Sequence, residues 1–225
     1  MAPQHRGNEN STLSMAEQLF LLNEGEDGRL WRANSLSAAA ALVELALQRR
    51  ISLKDPEPSK KLPMSRKLVV VDATPTGVPE ADRVLALMVA DSRPRSAWAM
   101  VPRMAGPVAA VVGDTLAGRA IVEKLEPRRP FLGIIARPPQ YRLLDRQVQR
   151  HVQLSDSATR VVLHTTTDVR LGATVDLIRN GGDFVSGEAG SGIQPLMKFE
   201  GYPADVRGTI EAILQAIGVA SGGGG

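Results

Sequence analysis

The feature that most constrains the fold of this chain is an apolar stripe with the period of an α-helix. Five apolar residues recur at spacings of four, three, four and four positions: Leu36, Ala40, Val43, Leu47 and Ile51. Residues at these spacings share one face of a helix, and that face must be buried against another element. Because only 4% of the residues are aromatic, aliphatic side chains must fill the core, which favours helices packed on helices.

Further helices are predicted near both ends of the chain. Ser14 and Glu17 have the spacing of a capping box, in which each side chain binds the other residue's backbone N–H, so a helix is expected over residues 15–23. Pro203 precedes a second apolar stripe with the period of an α-helix, and this stripe predicts a helix there. Its members are Val206, Ile210, Ile213 and Ile217.

The middle of the chain mixes strands, helices and breakers. Residues 51–54 and 66–71 are rich in β-branched side chains and predict short strands. A helix is expected over residues 79–90. A β-hairpin is predicted from strands at residues 131–136 and 141–144, separated by a Pro-Pro turn.

One proline and one tryptophan mark the starts of the predicted helices that follow residue 90. Trp98 is expected to open a brief helical stretch and to lie in the core. Pro107 is predicted at the first turn of a separate helix that reaches Leu125, because a proline at that position loses no helical hydrogen bond.

These elements predict a mainly α fold, a single compact helical domain with short β-hairpins, one of them protruding at about residues 131–144. The expected divisions are a disordered N-terminus (1–12), the helical domain (13–218) and a flexible Gly-rich tail (219–225). No apolar run approaches the ~20 residues of a membrane-spanning helix, so any membrane contact is expected to be peripheral. The absence of cysteine indicates a reducing cytoplasm.

Charge and residue spacing favour a binding protein over an enzyme. The whole chain carries a formal net charge of +3, yet residues 127–150 contain six arginines and a single acidic residue. Such a patch is typical of a surface that binds an anionic partner, either phospholipid headgroups or nucleic acid. It is equally typical of a surface that contacts only water and keeps the protein soluble. His5, His151 and His164 lack metal-ligand spacing. We therefore expect no catalytic residues, no metal and no cofactor.

Several short motifs in a fixed order resemble the Golgi phosphoprotein 3 family. The first is the capped, leucine-rich segment at residues 14–22, and the second is Gly28-Arg29-Leu30-Trp31. Residues 43–51 are similar to the family's Glu-Leu-Ala-Leu-Arg-Gly-Arg-Ile signature, and residues 72–77 to its Asp-x-x-Pro-Thr-Gly segment. The resemblance covers roughly residues 12–150.

The resemblance implies a mostly helical fold with a protruding hairpin. Eukaryotic members of the family are peripheral membrane proteins that bind phosphatidylinositol 4-phosphate and help to retain glycosyltransferases in the Golgi. Their headgroup pocket combines a tryptophan, which corresponds to Trp31, with several arginines or lysines. The family's other pocket cations fall on Ala38 and near Val111 and Asp114, so they are not matched here. This departure fits the alanine- and arginine-rich bacterial members.

The predicted function is therefore binding of an anionic phospholipid headgroup, implied by the family to be phosphatidylinositol 4-phosphate, by a cytoplasmic and peripherally membrane-associated protein. Trp31 is expected to lie at the headgroup level. Arg29, Arg32 and Arg119 are the expected phosphate ligands, because arginine binds phosphate oxygens in a bidentate manner.

The sequence is also compatible with two other functions. The first alternative is a protein–protein adaptor or self-assembling scaffold, in which an apolar hairpin packs against another copy. The residues of that surface are Phe131, Leu132, Ile134 and Ile135. The second is a nucleic-acid binder with Arg137 and Arg142 on phosphates. It ranks last, and no nucleic-acid partner is expected, because few aromatic residues accompany the arginines.

Overall fold

A computed structural model describes residues 13–22, 29–30, 34–54, 65–91, 93–125, 139–150, 152 and 202–222. These residues form mostly helices with two small antiparallel sheets, in agreement with the predicted helical fold. In chain order the elements are α1 (Met15–Leu22), α2 (Asn34–Leu47), β1 (Ile51–Leu53), β2 (Lys67–Val70), α3 (Pro79–Ala90), β3 (Arg95–Ser96), α4 (Ala97–Gly118), β4 (Val122–Leu125), β5 (Gln140–Leu143) and α5 (Ala204–Gly222).

The capping box predicted at the start of α1 is confirmed. The Ser14 backbone N–H donates to the Glu17 carboxylate at 2.8 Å, and the Ser14 hydroxyl oxygen accepts the Glu17 N–H at 3.2 Å. Two backbone donors that the first helical turn leaves free are thereby satisfied. The helix then buries Leu19 and Phe20 in the core.

Helix α2 is the centre of the molecule and packs against α1, α3, α4 and α5. Residues 37–43 are all buried, so α2 is enclosed on every side there, beyond the single stripe predicted. The stripe's last member, Ile51, belongs to β1 and not to the helix. The helix ends earlier because Arg49 adopts a left-handed φ of 55° and the Arg50 N–H returns to the Leu45 carbonyl at 2.8 Å.

The two strands predicted after α2 are confirmed as an antiparallel pair. Strand β1 pairs with β2 along three residues, and the short strand β3 joins the other edge of β2. The next helix, α3, has the bounds predicted from the sequence, and it buries Val84 and Met88. Asp82 fixes the preceding turn because its carboxylate accepts N–H groups from Thr76 and Gly77.

Helix α4 corrects three predictions. It runs without a break from Ala97 to Gly118 and contains both Pro102 and Pro107, so Pro107 does not begin a separate helix. Pro102 is exposed and Pro107 half-buried. The hydrogen bonds lost at these prolines are compensated by a buried face that repeats every four residues. That face comprises Met100, Met104, Val108, Val112 and Leu116.

The helix was also predicted to reach Leu125, whereas residues 122–125 form β4. Ala120 takes a left-handed φ of 57°, and the Ile121 N–H bonds to the Leu116 carbonyl at 3.0 Å, which ends α4. The prediction that Trp98 lies in the core is wrong as well. Its side chain is 43% exposed, because it lies on the outward face of the first turn of α4.

The predicted hairpin has a different first strand. Strand β5 lies where a strand was expected, but its partner is β4, with Val122 opposite Leu143 and Leu125 opposite Gln140. Residues 126–138, which include the predicted strand at 131–136, lie outside the described residues.

Helix α5 confirms the stripe near the carboxyl end. Val206, Ile210, Ile213 and Ile217 are all buried. The helix extends to Gly222, so it enters the segment 219–225 that was expected to be a flexible tail. Residues 1–12, expected to be disordered, lie outside the described part of the chain.

Tyr141 generates a test of this fold. Its ring is buried and packs edge-on against Phe20, with centroids 5.7 Å apart. A Cβ atom added at Gly113 of α4 would lie 2.2 Å from the Tyr141 ring. We expect Gly113→Ala to lower the free energy of unfolding by about 1–3 kcal/mol, since it overfills a packed core.

Gly118 of the same helix is the matched control, because outside its chain neighbours and its own helix backbone nothing lies within 4 Å of the position that a Cβ atom would take there. Gly118→Ala should leave the free energy of unfolding unchanged or raise it by at most about 1 kcal/mol through helix propensity. Urea denaturation followed by circular dichroism measures both variants. Equal effects of the two substitutions would contradict the described packing of Tyr141 on α4.

Candidate functional site

Strand β5 is paired on both of its edges. On one edge lies β4, and on the other Arg29 forms an antiparallel bridge with Arg142. The Leu30 N–H donates to the Tyr141 carbonyl at 3.1 Å, which fixes this second pairing. The segment that carries the Gly-Arg-Leu-Trp motif is therefore joined to the hairpin by backbone hydrogen bonds.

This pairing places two arginines side by side. Side chains directly opposite each other in an antiparallel pair lie on the same face, with Cβ atoms about 4.5–5.5 Å apart. Tyr141 and Leu143 point inward, so Arg142 between them is on the exposed face. Two guanidinium groups on one face of a sheet can both contact the same anion.

A single carboxylate accompanies the two arginines on the described part of this face. Glu123 lies opposite Arg142 in β4, and its carboxylate is 3.7 Å from the Arg142 guanidinium. Arg29 reaches Gln140 at 3.5 Å. We call Arg29 and Arg142 the arginine pair. The row across the sheet is thus Glu123, Arg142 and Arg29.

Beneath the arginine pair, Tyr141 anchors the hairpin to α4. Its hydroxyl donates to the Asp114 carboxylate at 3.0 Å and lies 3.3 Å from the Ala110 carbonyl. Lys124 completes the group with a 2.7 Å ion pair to Asp114. Burial, followed by the hydrogen bond to Asp114 and its negative charge, raises the pKa of Tyr141 far above its usual value. The phenol therefore stays a neutral donor.

Arg119, a predicted headgroup ligand, has a different partner. Its guanidinium contacts both oxygens of the buried Glu17 carboxylate, at 3.2 and 3.3 Å. This bidentate pair ties the end of α4 to α1. The structure thus places Arg119 in an internal ion pair, and not in the arginine pair.

A second buried carboxylate lies in the same cluster. Glu80 is only 1% exposed and accepts a hydrogen bond from the Ser14 hydroxyl. Burial is the largest influence on Glu80 and raises its pKa, although the Ser14 hydrogen bond and the Arg119 charge act in the opposite direction. Two carboxylates thus share one arginine at the junction of α1, α3 and α4.

The other predicted site residues divide into two groups. Arg29 is in the arginine pair, whereas Trp31 and Arg32 lie outside the described residues. So do the four predicted hairpin residues, Phe131, Leu132, Ile134 and Ile135. These predictions stay predictions.

Sequence reasoning missed Arg142 as a partner of Arg29. The alternation in Gln140-Tyr141-Arg142-Leu143 is a local signal that Arg142 faces solvent. Nothing local indicated that Arg29, which is far away in sequence, would lie opposite it. At the family-matched positions, Ala38 is buried, Val111 is half-buried and Asp114 is exposed, and none of them supplies a cation.

Two further observations concern the described residues only. In that part of the chain, no three His, Asp or Glu side chains come together as a metal site would require. None of its helices combines the length and the apolar character needed to cross a bilayer.

Comparison with known proteins gives one finding. A model of the family described as Golgi phosphoprotein 3 (GPP34) matches residues 15–183, which is most of the chain. No curated protein matches the chain significantly.

The buried carboxylates generate a pH-dependence test. Because the pKa of Glu80 is raised in the fold, the folded state retains a proton that the unfolded chain releases, and stability falls as the pH rises above the ordinary glutamate pKa of 4.5. Glu80→Gln keeps an acceptor for Ser14 but cannot ionise. We expect the variant to gain stability relative to the parent as the pH increases. The gain is about 1.4 kcal/mol for each unit by which the pKa of Glu80 in the folded chain exceeds its pKa in the unfolded chain.

Urea unfolding at several pH values between 4.5 and 8 measures this difference. Glu123→Gln, at an exposed carboxylate, controls for the loss of one negative charge. A stability difference between parent and Glu80→Gln that is the same at every pH would show that Glu80 is not protonated preferentially in the fold.

Proposed function

The chain belongs to the Golgi phosphoprotein 3 family, and we propose that it is a peripheral membrane protein that binds an anionic phospholipid headgroup. The observation that supports this most directly is the arginine pair. Arg29 and Arg142 lie opposite each other on neighbouring backbone segments, so a single phosphate can contact both guanidinium groups. As a binding protein it needs neither a catalytic residue nor a cofactor.

The chemistry of the proposed site suits a phosphate ester. Each guanidinium can bind two phosphate oxygens in a bidentate manner. Trp31 follows Arg29 after a single residue, and an indole is suited to the boundary between headgroups and acyl chains. Arg32 is a further cation of the same segment. Each cation near an anionic membrane surface contributes about 1 kcal/mol to binding.

Arg119 plays a smaller part in this proposal than the sequence predicted. Its guanidinium already neutralises the buried Glu17. Withdrawing it toward a lipid would leave an unpaired carboxylate in the core, which is strongly unfavourable. Arg142 therefore replaces Arg119 as the second phosphate ligand.

The lipid preference follows from what surrounds the pair. The positions that match the family's other pocket cations carry Ala38, Val111 and Asp114, so a deep pocket lined by several cations is not supported. We propose binding governed by phosphate charge, in which phosphatidylinositol 4-phosphate binds better than a singly charged lipid but is not uniquely selected. A cytoplasmic location at the membrane surface, and a place among the bacterial members of the family, belong to the same proposal.

Co-sedimentation with vesicles tests this function. Vesicles of phosphatidylcholine alone are compared with vesicles that also contain phosphatidylserine or phosphatidylinositol 4-phosphate. The double variant Arg29→Ala/Arg142→Ala should bind anionic vesicles about 30-fold more weakly, because two cations of about 1 kcal/mol each are lost. Trp31→Ala should weaken binding to the same vesicles.

Lys54→Ala/Arg83→Ala is the matched control, since both residues are exposed and their replacement also removes two positive charges. It should leave vesicle binding nearly unchanged. Binding that does not depend on anionic lipid, or that survives loss of the arginine pair, would contradict the proposal. Salt-sensitive binding to duplex DNA without binding to vesicles would instead assign the pair to nucleic acid.

A further inference from the structure

A groove lies at the other end of α4 from the arginine pair. Its volume is about 430 Å³, and it is bounded by residues 68–71 of β2 and the following loop, by Met88 and Val89 at the end of α3, and by Met100 near the start of α4. The 22 residues of α4 span about 33 Å at 1.5 Å per residue. The groove is thus separate from the proposed lipid site.

One wall of the groove is an incompletely paired strand edge. The Lys54 N–H bonds to the Lys67 carbonyl, and the Val71 N–H bonds to the Arg50 carbonyl, so alternate residues of β2 direct their backbone groups toward β1. Leu68 and Val70 consequently direct their backbone N–H and C=O groups to the other edge of β2, away from β1. On that edge β3 pairs with Lys67 and Leu68, and the pairing of β3 with β2 does not extend to Val70.

Among the described residues, the chain before β3 forms no backbone hydrogen bond with Val70, although Arg93 and Pro94 line the same groove. Pro94 has no N–H to donate, and the Arg93 N–H bonds to the Asp91 carboxylate at 3.3 Å. Among the described residues, then, the backbone of Val70 faces the groove and not a neighbouring strand. An added strand that continues β3 could pair there.

The groove also exposes apolar side chains. Val71 is 63% exposed and Val89 is 55% exposed, and both are among the few large apolar side chains exposed in the described part of the chain. Met88 and Met100 form its floor, and both are buried. Methionine side chains adapt to differently shaped apolar groups, which suits the binding of an inserted side chain.

The rim of the groove carries a surplus of positive charge. Asp91 is bound by Arg95 at 2.6 Å and lies 3.5 Å from Arg103. Arg93, which lines the groove, is exposed. Two arginine side chains thus accompany one carboxylate that is itself only 11% exposed, and Arg93 adds a further exposed cation to the rim, so the rim complements a negatively charged partner.

We propose that this groove binds an extended peptide segment of a partner protein, in which apolar anchor side chains are flanked by acidic residues. The peptide pairs with Val70 as an additional strand, inserts an apolar side chain between Val71 and Val89, and directs its acids toward Arg93 and Arg103. Strand addition is an established mode of peptide recognition. A concave site with an open strand edge suits a peptide better than a lipid surface, which offers no backbone to pair.

Binding of immobilised nine-residue peptides to the full chain tests this proposal. In one library, two acidic residues precede and two follow an apolar centre varied among Val, Ile, Leu and Phe. In a matched library lysine replaces the acids. We expect enrichment from the acidic library alone. The selected peptides, labelled with fluorescein, should lose at least about tenfold in affinity with Val71→Gln/Val89→Gln and with Arg93→Glu.

Two controls make the result specific. Leu144→Gln removes another exposed apolar side chain, which is 54% exposed and does not line the groove, and it should leave the affinity unchanged. Backbone N-methylation of the central peptide residues should abolish binding, because it removes the donors that pair with the strand edge.

Several results would overturn the proposal. These are no enrichment above unloaded beads, equal enrichment of acidic and basic peptides, or equal binding by parent and Val71→Gln/Val89→Gln. Sedimentation showing a dimer that the double variant dissociates would assign the groove to a second copy. Loss of vesicle binding in that variant would assign it to the membrane.

Discussion

The packing of Tyr141 against Gly113 is the contact on which the candidate site depends. Its ring occupies the space that a side chain at position 113 would fill, and its hydroxyl bonds to Asp114 on the same helix. This contact fixes β5 on α4. The backbone of β5 then pairs with residues 29 and 30, which brings Arg29 opposite Arg142. A hairpin set differently on α4 would separate the two guanidinium groups.

The buried carboxylate of Glu17 explains why Arg119, a predicted phosphate ligand, is not part of the arginine pair. Glu17 serves the capping box of α1 and is 2% exposed, so its charge requires a partner inside the fold. Arg119 at the end of α4 supplies that partner. The same chemistry that makes arginine a good phosphate ligand makes it a good structural ion pair. Which role it takes depends on the nearest carboxylate, and the sequence does not show that distance.

Predictions from local pattern succeeded where local forces decide the structure. The capping box at Ser14, the bounds of α3 and the stripe of α5 all depend on residues within a few positions of one another. The continuity of α4 through Pro107 was missed, because the buried face of the whole helix outweighs one lost hydrogen bond. The contact of Arg119 with Glu17 joins residues 102 positions apart, and the arginine pair is equally non-local. Such pairings follow from tertiary packing and not from spacing.

The proposed function requires the arginine pair to bind an anion. A nuclear magnetic resonance titration of the arginine side-chain Nε–H signals with soluble inositol 1,4-bisphosphate, at low ionic strength, measures this binding. We expect saturable shifts at Arg29 and Arg142, while the signal of Arg119 stays in place because Glu17 already binds it. Shifts centred on Arg119, or no saturable change at Arg29 and Arg142, would contradict it.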